Sequence, residues 1–504
     1  MMRGSSEGTG GIFDWLWEKR QTLLALFLLA GPAGAQGQEP PDVARVRTWL
    51  DSRVPEMMRE AGLPGFSIAV VKDARTVYAA GFGARDPQKN LPATPDTLFG
   101  IGSVTKSFVA VAILQLAEQG KLKLDDPVSA YVPLELGRAG QPITVRHLLT
   151  HSPGFPNLGT STILISRGLG TDTGIPMSSA ADFYRFVNGA KDEVVFAPGE
   201  HFFYNNAAWR MLGHIVQERS GIPFHRYVKE RVLDPLGMRR STFDVAAAFR
   251  DPDHLVPHKK GKTGLEAAPF PYPNPEDNPG FSFLSAAGGI VSSANEMARY
   301  VNAQIGQGSY PGGRLAGPEA FASMQALQIE TGEGHFGKAG YGYGLGIVPG
   351  FLGHKLVSHG GSISVSTAHM AFIPDLKLGV VMMGNGPGMA YGTIAENVFA
   401  LMMGLDPDEV LPGNRIRKRM ERLVGDYATY RKLETLKVYK RNGLLYMGEG
   451  EKEAGTPLVP DDPGYESLKF HTLSEGLRSP VEFKVREDGG LDLLVERSVF
   501  HRKD

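Results

Sequence analysis

Strand-like sequence stands at both ends of a long stretch of this chain, and helix-like sequence fills the middle. Near the start, Phe66 to Val71 and Thr76 to Phe82 read as strands, after a helix from near Asp42 to about Glu60. Helix-rich sequence runs from Ser103 to Ala322, and strands return from Tyr341 to Met383. Strands so far apart that share one layer predict an α+β fold in which the terminal strands meet in a single antiparallel sheet.

At 504 residues the chain is too long for one ordinary core. A polar stretch opens at Pro407, and residues 407–420 read as a linker to a second, smaller all-β domain over 421–504. Within that domain Leu436 to Met447 alternates around Asn442-Gly443, the strongest short hairpin signal, and Val481 to Val495 repeats the form. At the other end, Glu18-Lys19-Arg20, the apolar run Leu23 to Ala30 and Ala33-Gly34-Ala35 follow the pattern of a secretory leader cut after Ala35. The run is too short to span a membrane comfortably. Residues 1–35 are therefore expected to be a leader, 36–406 the catalytic region, and the product exported to a periplasm or the exterior, with no stable membrane span once the leader is cut.

Hydrophobic residues make up 42% and charged residues 21%, with a net charge of −1 and both signs dispersed, which points away from nucleic-acid partners. There is no cysteine, so thiolate metal sites, disulfides and a cysteine nucleophile are excluded. His147 and His151 have zinc-helix spacing but lack the glutamate of His-Glu-x-x-His, so capping or core hydrogen bonding is their expected role. No Gly-x-Ser-x-Gly elbow occurs. No metal and no cofactor is expected, and the oligomeric state is not legible.

Three short motifs carry chemistry: Ser103-x-x-Lys106, Tyr204-x-Asn206 and His359-x-Gly361. A Ser-x-x-Lys arises by chance about once or twice in a chain this long, so the ordered set carries the weight. Ser103 precedes an apolar run without proline that stops at Gly120, so it lies at a helix N-terminus, where free N–H groups and the helix dipole favour negative charge. Lys106 stands one turn on, on the same face, and a lysine buried there can lose its proton and act as base. The plain alternative is an ordinary N-cap serine and a solvated lysine. Tyr204 and Asn206 sit in a loop ahead of the apolar run Ala207 to Val216, where a phenol can shuttle a proton and an amide can bind Lys106 and substrate. A half-buried tyrosine beside an asparagine cap fits the same residues. His359, Gly360, Gly361 and Ser362 lie between strand-like flanks, where glycines allow close backbone approach and the Ser362 N–H can join that of Ser103 in binding an oxyanion. A hairpin with a surface histidine is the alternative.

With these motifs the chain resembles the serine β-lactamase and penicillin-binding-protein superfamily, in its class C-like branch with D-aminopeptidases, D-stereospecific peptidases and esterases (peptidase family S12-type). Pro64 to Val71, Ile143 to Gly154, Pro235 to Met238 and Ala286 to Ser293 are similar to the same family. The resemblance implies a transpeptidase-like fold, an antiparallel sheet beside a helical subdomain with the site between them. It also implies Ser103 as nucleophile, Lys106 and Tyr204 sharing acid and base work, and Asn206, His359, Gly360, Gly361 and Ser362 binding substrate. His359-Gly360-Gly361 stands where the class C β-lactamases carry Lys-Thr-Gly. A lysine there is a permanent cation for a carboxylate, whereas histidine is mostly neutral above about pH 6.5 unless its surroundings raise its pKa. Potent β-lactamase activity is therefore not expected, and because histidine in this place is familiar in the peptidase and esterase members, the resemblance favours D-residue peptides or small esters and amides as substrates. A weak β-lactamase or D-Ala-D-Ala carboxypeptidase is the next alternative, and a catalytically idle penicillin-binding sensor a third. Asp251 to Phe283 reads as a long loop bordering the cleft and setting specificity. The C-terminal domain resembles a lipocalin-like module, either a stabilising appendage or a roof over the cleft.

Overall fold

The computed structural model describes residues 40–260, 265–450 and 454–503, so the expected leader lies outside the described residues. Helix α1 (Pro41–Ala61) buries Val43, Val46, Leu50, Val54 and Met58, the spacing of an amphipathic helix. It starts on Pro41, whose missing N–H a helix start does not use, and stops at Gly62, left-handed at φ 66°. The chain turns into β1 (Gly65–Lys72), β2 (Arg75–Asp86) and β3 (Leu91–Pro92). After the helical region come β4 (Ile329–Gly334), β5 (Gly337–Tyr341), β6 (Gly346–Phe351), β7 (His354–Ser362), β8 (Thr367–Ile373) and β9 (Leu378–Gly384).

These make one nine-stranded antiparallel sheet in the order β4-β5-β6-β7-β8-β9-β1-β2-β3. The first strand meets the last, from Phe66 opposite Gly384 to Lys72 opposite Leu378, which is the α+β closure expected from the sequence. Strands return at Ile329 rather than Tyr341. The added strand β4 is an edge whose residues are almost all exposed, so it carries no apolar alternation to read.

Side-chain alternation along β1 divides two cores. Phe66, Ile68 and Val70 pack with Val46 and Leu50 of α1 and Val398 of α6 (Tyr391–Met402) on one face. Ala69 and Val71 face the larger core, which holds α2 (Thr105–Glu118), α4 (Asn206–Ser220) and α5 (Ala294–Ile305); α3 (Thr160–Gly168) lies at its margin. Helix α2 is buried from Thr105 to Leu116. Each fully buried Val, Leu, Ile or Phe stabilises by about 1.5–3 kcal/mol, so α2 is a fixed post on which a site can be built.

The segment expected as a linker is helical. Pro407–Val410 forms one turn and α7 (Pro412–Leu423) follows. Leu411 belongs to the core under the sheet, whereas Met420 and Leu423 belong to that of the β domain. A short helix that buries so few apolar residues reads as polar sequence. Beyond it, β10 (Gly425–Ala428), β11 (Thr435–Arg441), β12 (Leu444–Gly448), β13 (Thr456–Pro460), β14 (Lys469–Ser474), β15 (Leu477–Val485), β16 (Leu491–Val495) and β17 (Ser498–Arg502) form a closed barrel. Asn442 and Gly443 take φ 50° and 79°, as a two-residue hairpin turn requires, and join β11 to β12. Among the described residues no helix is long and apolar enough to cross a membrane.

Candidate active site

A tight turn, Gly102–Val104, runs straight into α2 and sets Ser103 at its start. Lys106, three residues on and fully buried, points its Nζ to within 2.9 Å of Ser103 Oγ. The same nitrogen donates to Asn206 Oδ1 and to the Ala287 carbonyl, both at 2.8 Å. Those two oxygens only accept, so they take both N–H bonds of a neutral amine and leave its lone pair facing the Ser103 hydroxyl. Burial, and then the charge of Arg210, pulls the Lys106 pKa well below its ordinary value.

The loop ahead of α4 assigns different work to two adjacent asparagines. Asn205 caps the helix, its Oδ1 accepting the Ala208 N–H at 3.1 Å, and its amide holds the Phe155 and Pro156 carbonyls. Asn206 is thereby free to face Lys106. Tyr204 lies beside them, its ring centroid 5.0 Å from Lys106 Nζ. Burial pushes this phenol far above its ordinary pKa, offset only in part by the Ser103 hydroxyl, so it keeps its proton. His151 stacks behind Tyr204, ring centroids 4.3 Å apart, and its Nδ1 lies 2.7 Å from the Asn205 amide nitrogen. His147 closes a capping box with Thr144. Capping and core support are thus what these two histidines do.

Strand β7 passes in front of the Ser103 turn at backbone distance. A methyl group on Gly361 would lie 2.6 Å from the Ser103 nitrogen, and one on Gly102, at φ 52°, 2.6 Å from the Ser362 nitrogen. The two glycines let the Ser103 and Ser362 amides converge on one small space, the geometry of an oxyanion site. The Ser362 hydroxyl turns outward to Thr367. Gly360 pairs with His369 on β8, and its carbonyl accepts the His359 Nδ1–H at 2.6 Å. Nε2 of His359 accepts the Tyr341 hydroxyl at 2.8 Å. Both ring nitrogens are therefore used, and burial, followed by the nearby Lys106, pushes the His359 pKa down to about 3. Its surroundings lower the histidine's pKa rather than raise it, so His359 is a neutral group.

Lys106 thus reaches the Ser103 hydroxyl with Tyr204 beside it, Asn206 holds Lys106, Gly361 and the Ser362 amide pass the Ser103 turn, His359 packs 6.2 Å from Tyr204 between ring centroids, and Gly360 anchors its imidazole. Four participants escape the motif reading. The Ala287 carbonyl is backbone and has no residue signature. Tyr341 lies at the end of a strand distant in sequence. Arg210 interrupts the apolar run Ala207 to Val216, and that interruption is a signal the sequence did carry. Tyr272 comes from the loop Asp251 to Phe283, which reaches the back of the site. A methyl on Gly288 would meet the Tyr272 hydroxyl at 2.6 Å. That loop is not bare coil: it includes a small hairpin, His258–Lys260 with Leu265–Ala267, and is tied down by Arg240 to Asp251 at 2.7 Å and His225 to Glu276 at 3.0 Å.

Comparison with known proteins agrees with this geometry. The beta-lactamase family model matches residues 50–400, and the Pab87 octamerisation domain model matches residues 407–501. The structure of an octameric penicillin-binding protein homologue from Pyrococcus abyssi superposes with a TM-score of 0.81 at 36% identity, covering 90% of this chain and 100% of that one. A beta-lactamase of Yersinia enterocolitica is 23% identical over 72% of this chain and 93% of its own length. Protein flp of Staphylococcus aureus strain MW2 is 30% identical over 44% of this chain, and the match spans 43% of that relative's length. The chain belongs to the beta-lactamase family, within the superfamily of serine β-lactamases and penicillin-binding proteins.

Proposed function

We propose that this protein is a serine hydrolase that cleaves amide or ester bonds through an acyl-enzyme on Ser103. The observation that carries this reading is the contact set of Lys106 Nζ: two obligate acceptors and the Ser103 hydroxyl, all within 2.9 Å. The neutral amine takes the proton of Ser103 as Oγ attacks the carbonyl carbon. The developing oxyanion is met by the Ser103 and Ser362 N–H groups. Tyr204 gives its proton to the leaving nitrogen or oxygen as that bond breaks. The phenolate left behind lies beside the new Lys106 ammonium, and return of the proton resets both groups. Water then attacks the ester by the same route in reverse.

For substrate, the neutral His359 disfavours β-lactams and C-terminal carboxylates, and the resemblance to peptidase and esterase members favours short peptides with D-residues, or small esters and amides. The class C-like pattern of motifs and export behind a leader belong to the same reading. Self-association through the barrel is part of it too. Tyr430, Leu433 and Leu477 are 72%, 83% and 74% exposed there, more apolar surface than a barrel needs to leave open, and the Pyrococcus relative is octameric.

The test is labelling of wild type and Ser103→Ala by a fluorescent serine-directed phosphonate, followed by turnover on D-amino acyl amides, short esters and cephalosporins. Labelling lost in Ser103→Ala, with esters or D-amides preferred, supports the reading. An unlabelled wild type that turns nothing over rejects it in favour of an idle sensor. Light scattering reads the assembly, which Leu433→Asp with Leu477→Asp should break down.

A further inference from the structure

Two basic side chains are sealed next to each other in this site. Lys106 and Arg210 are both fully buried, and among the described residues neither has a carboxylate partner. The Arg210 guanidinium is held by neutral groups alone: the Leu284 carbonyl at 3.1 Å, Thr160 Oγ1 at 2.7 Å and Ser161 Oγ at 3.1 Å. Burying an uncompensated guanidinium is costly, and arginine cannot escape by losing its proton. A fold that needed only to fill this space would do better with an apolar side chain.

The position of Arg210 accounts for that cost. It lies four residues after Asn206 on α4, one turn along the same face. Through Leu284 it grips the turn Pro279–Ala287, whose last carbonyl is the other acceptor of Lys106. It therefore holds one acceptor through its own helix and the other through a neighbouring segment. Among the described residues, the other titratable groups packed around Lys106, Arg210 and Tyr204 are neutral. On the loop before α4 stands Tyr204 itself, behind it His151, on β7 His359, on β5 Tyr341 and on the long loop Tyr272; burial is the leading cause that favours the uncharged form of each.

We propose that Arg210 is a positioning residue for the acyl-transfer reaction: its hydrogen bonds fix the two acceptors that aim the Lys106 lone pair at Ser103, and its charge, which no carboxylate among the described residues cancels, stands in the same dry space. The proposal rests on the hydrolase reading above. Because two cations cannot share one dry space cheaply, Lys106, which can shed a proton, does so. Loss of the arginine charge raises the pH at which Lys106 becomes a base.

The experiment is the rate of covalent labelling by the fluorescent serine-directed phosphonate across about pH 5 to 10, for wild type, Arg210→Met, Arg210→Gln and Ser161→Asp, each checked for a cooperative melt. In the neutral variants the acid limb should move up by about one unit or more, a loss of about tenfold at a given pH on that limb, and the alkaline plateau should fall further in Arg210→Met than in Arg210→Gln, which can keep part of the hydrogen bonding. Ser161→Asp, which sets a carboxylate beside the retained arginine and cancels its charge, should move the limb in the same direction. Folded neutral variants with an unmoved limb overturn the proposal and leave Arg210 structural, whatever the loss on the plateau. Should neither neutral variant fold, Ser161→Asp decides alone, since an unmoved limb in that variant, its arginine charge cancelled, overturns the proposal as well. An unlabelled wild type removes the hydrolase reading and this inference with it, whereas a labelled wild type with an unmoved limb removes only the inference.

Discussion

The Tyr341 hydroxyl donates to Nε2 of His359 across 2.8 Å, and this bond takes up the ring nitrogen that would otherwise face a substrate. With Nδ1 committed to the Gly360 carbonyl, the imidazole has neither a spare donor nor a positive charge. The place where related β-lactamases carry a cation is electrically neutral here.

The first prediction follows from that neutrality. A histidine with its pKa pushed down to about 3 binds no proton in the working range, so the ratio of kcat/KM for carboxylate-bearing substrates to that for neutral esters should stay flat from about pH 5 to 8. His359→Lys should raise the ratio by about one to two decades, the worth of a charge-assisted hydrogen bond of roughly 1.5–3 kcal/mol. An unchanged ratio in that variant would move the specificity question to the loop from Asp251 to Phe283.

Lys106 makes a prediction about stability. Its folded-state pKa lies well below the ordinary lysine value, so between the two values the unfolded chain binds the extra proton. Stability contributed by this site therefore rises with pH across that window and is poorest below it. Lys106→Met should abolish turnover yet raise the free energy of unfolding near neutral pH by about 1 kcal/mol, with the gain shrinking as pH approaches about 10. Denaturant melts at several pH values measure it, and a loss of stability in Lys106→Met would contradict it.

Proton exchange among three groups predicts non-additivity. Lys106→Ala and Tyr204→Phe should each lower the single-turnover acylation rate by about two orders of magnitude or more, and the double variant should be little worse than the worse single one. Ser103→Ala should remove labelling altogether while leaving the melt in place. Fully additive losses at matched pH would show that Lys106 or Tyr204 is merely structural.

Gly361 predicts a steric effect. A methyl there would sit 2.1 Å from the Ile101 carbonyl oxygen and 2.6 Å from the Ser103 nitrogen, both backbone atoms that cannot step aside. Gly361→Ala should force β7 off the turn and spoil the paired N–H groups, lowering kcat/KM by about 100-fold or more. Turnover and phosphonate labelling report it together, and near-wild-type activity would mean that the strand does not contribute to the oxyanion site.

How far the sequence could be read depended on whether a feature was local. Ser103 and Lys106 are three residues apart on a buried helix, so their meeting is written in the spacing. The pairing of β1 with β9 followed from apolar strands at both ends of a helical stretch. Asn442-Gly443 announced its turn because few other residues tolerate that backbone. By contrast, the edge strand Ile329–Gly334 faces solvent and shows no alternation, and the helix Pro412–Leu423 buries so few apolar residues that it passed for a linker. The Ala287 carbonyl, Tyr341 and Tyr272 reach Lys106, His359 and Gly288 only through tertiary packing, which no spacing records.

The C-terminal barrel closes on itself, β10 pairing with β17, so it exposes no free row of backbone N–H and C=O groups along an unpaired strand. Copies of this protein that meet through their barrels must then grip by side chains on turns and outer faces, never by extending one another's sheets. Such a union is specified by the shape and chemistry of those side chains, so it answers to substitutions on the barrel's surface rather than to strand register. It also offers no template on which a fibril could grow.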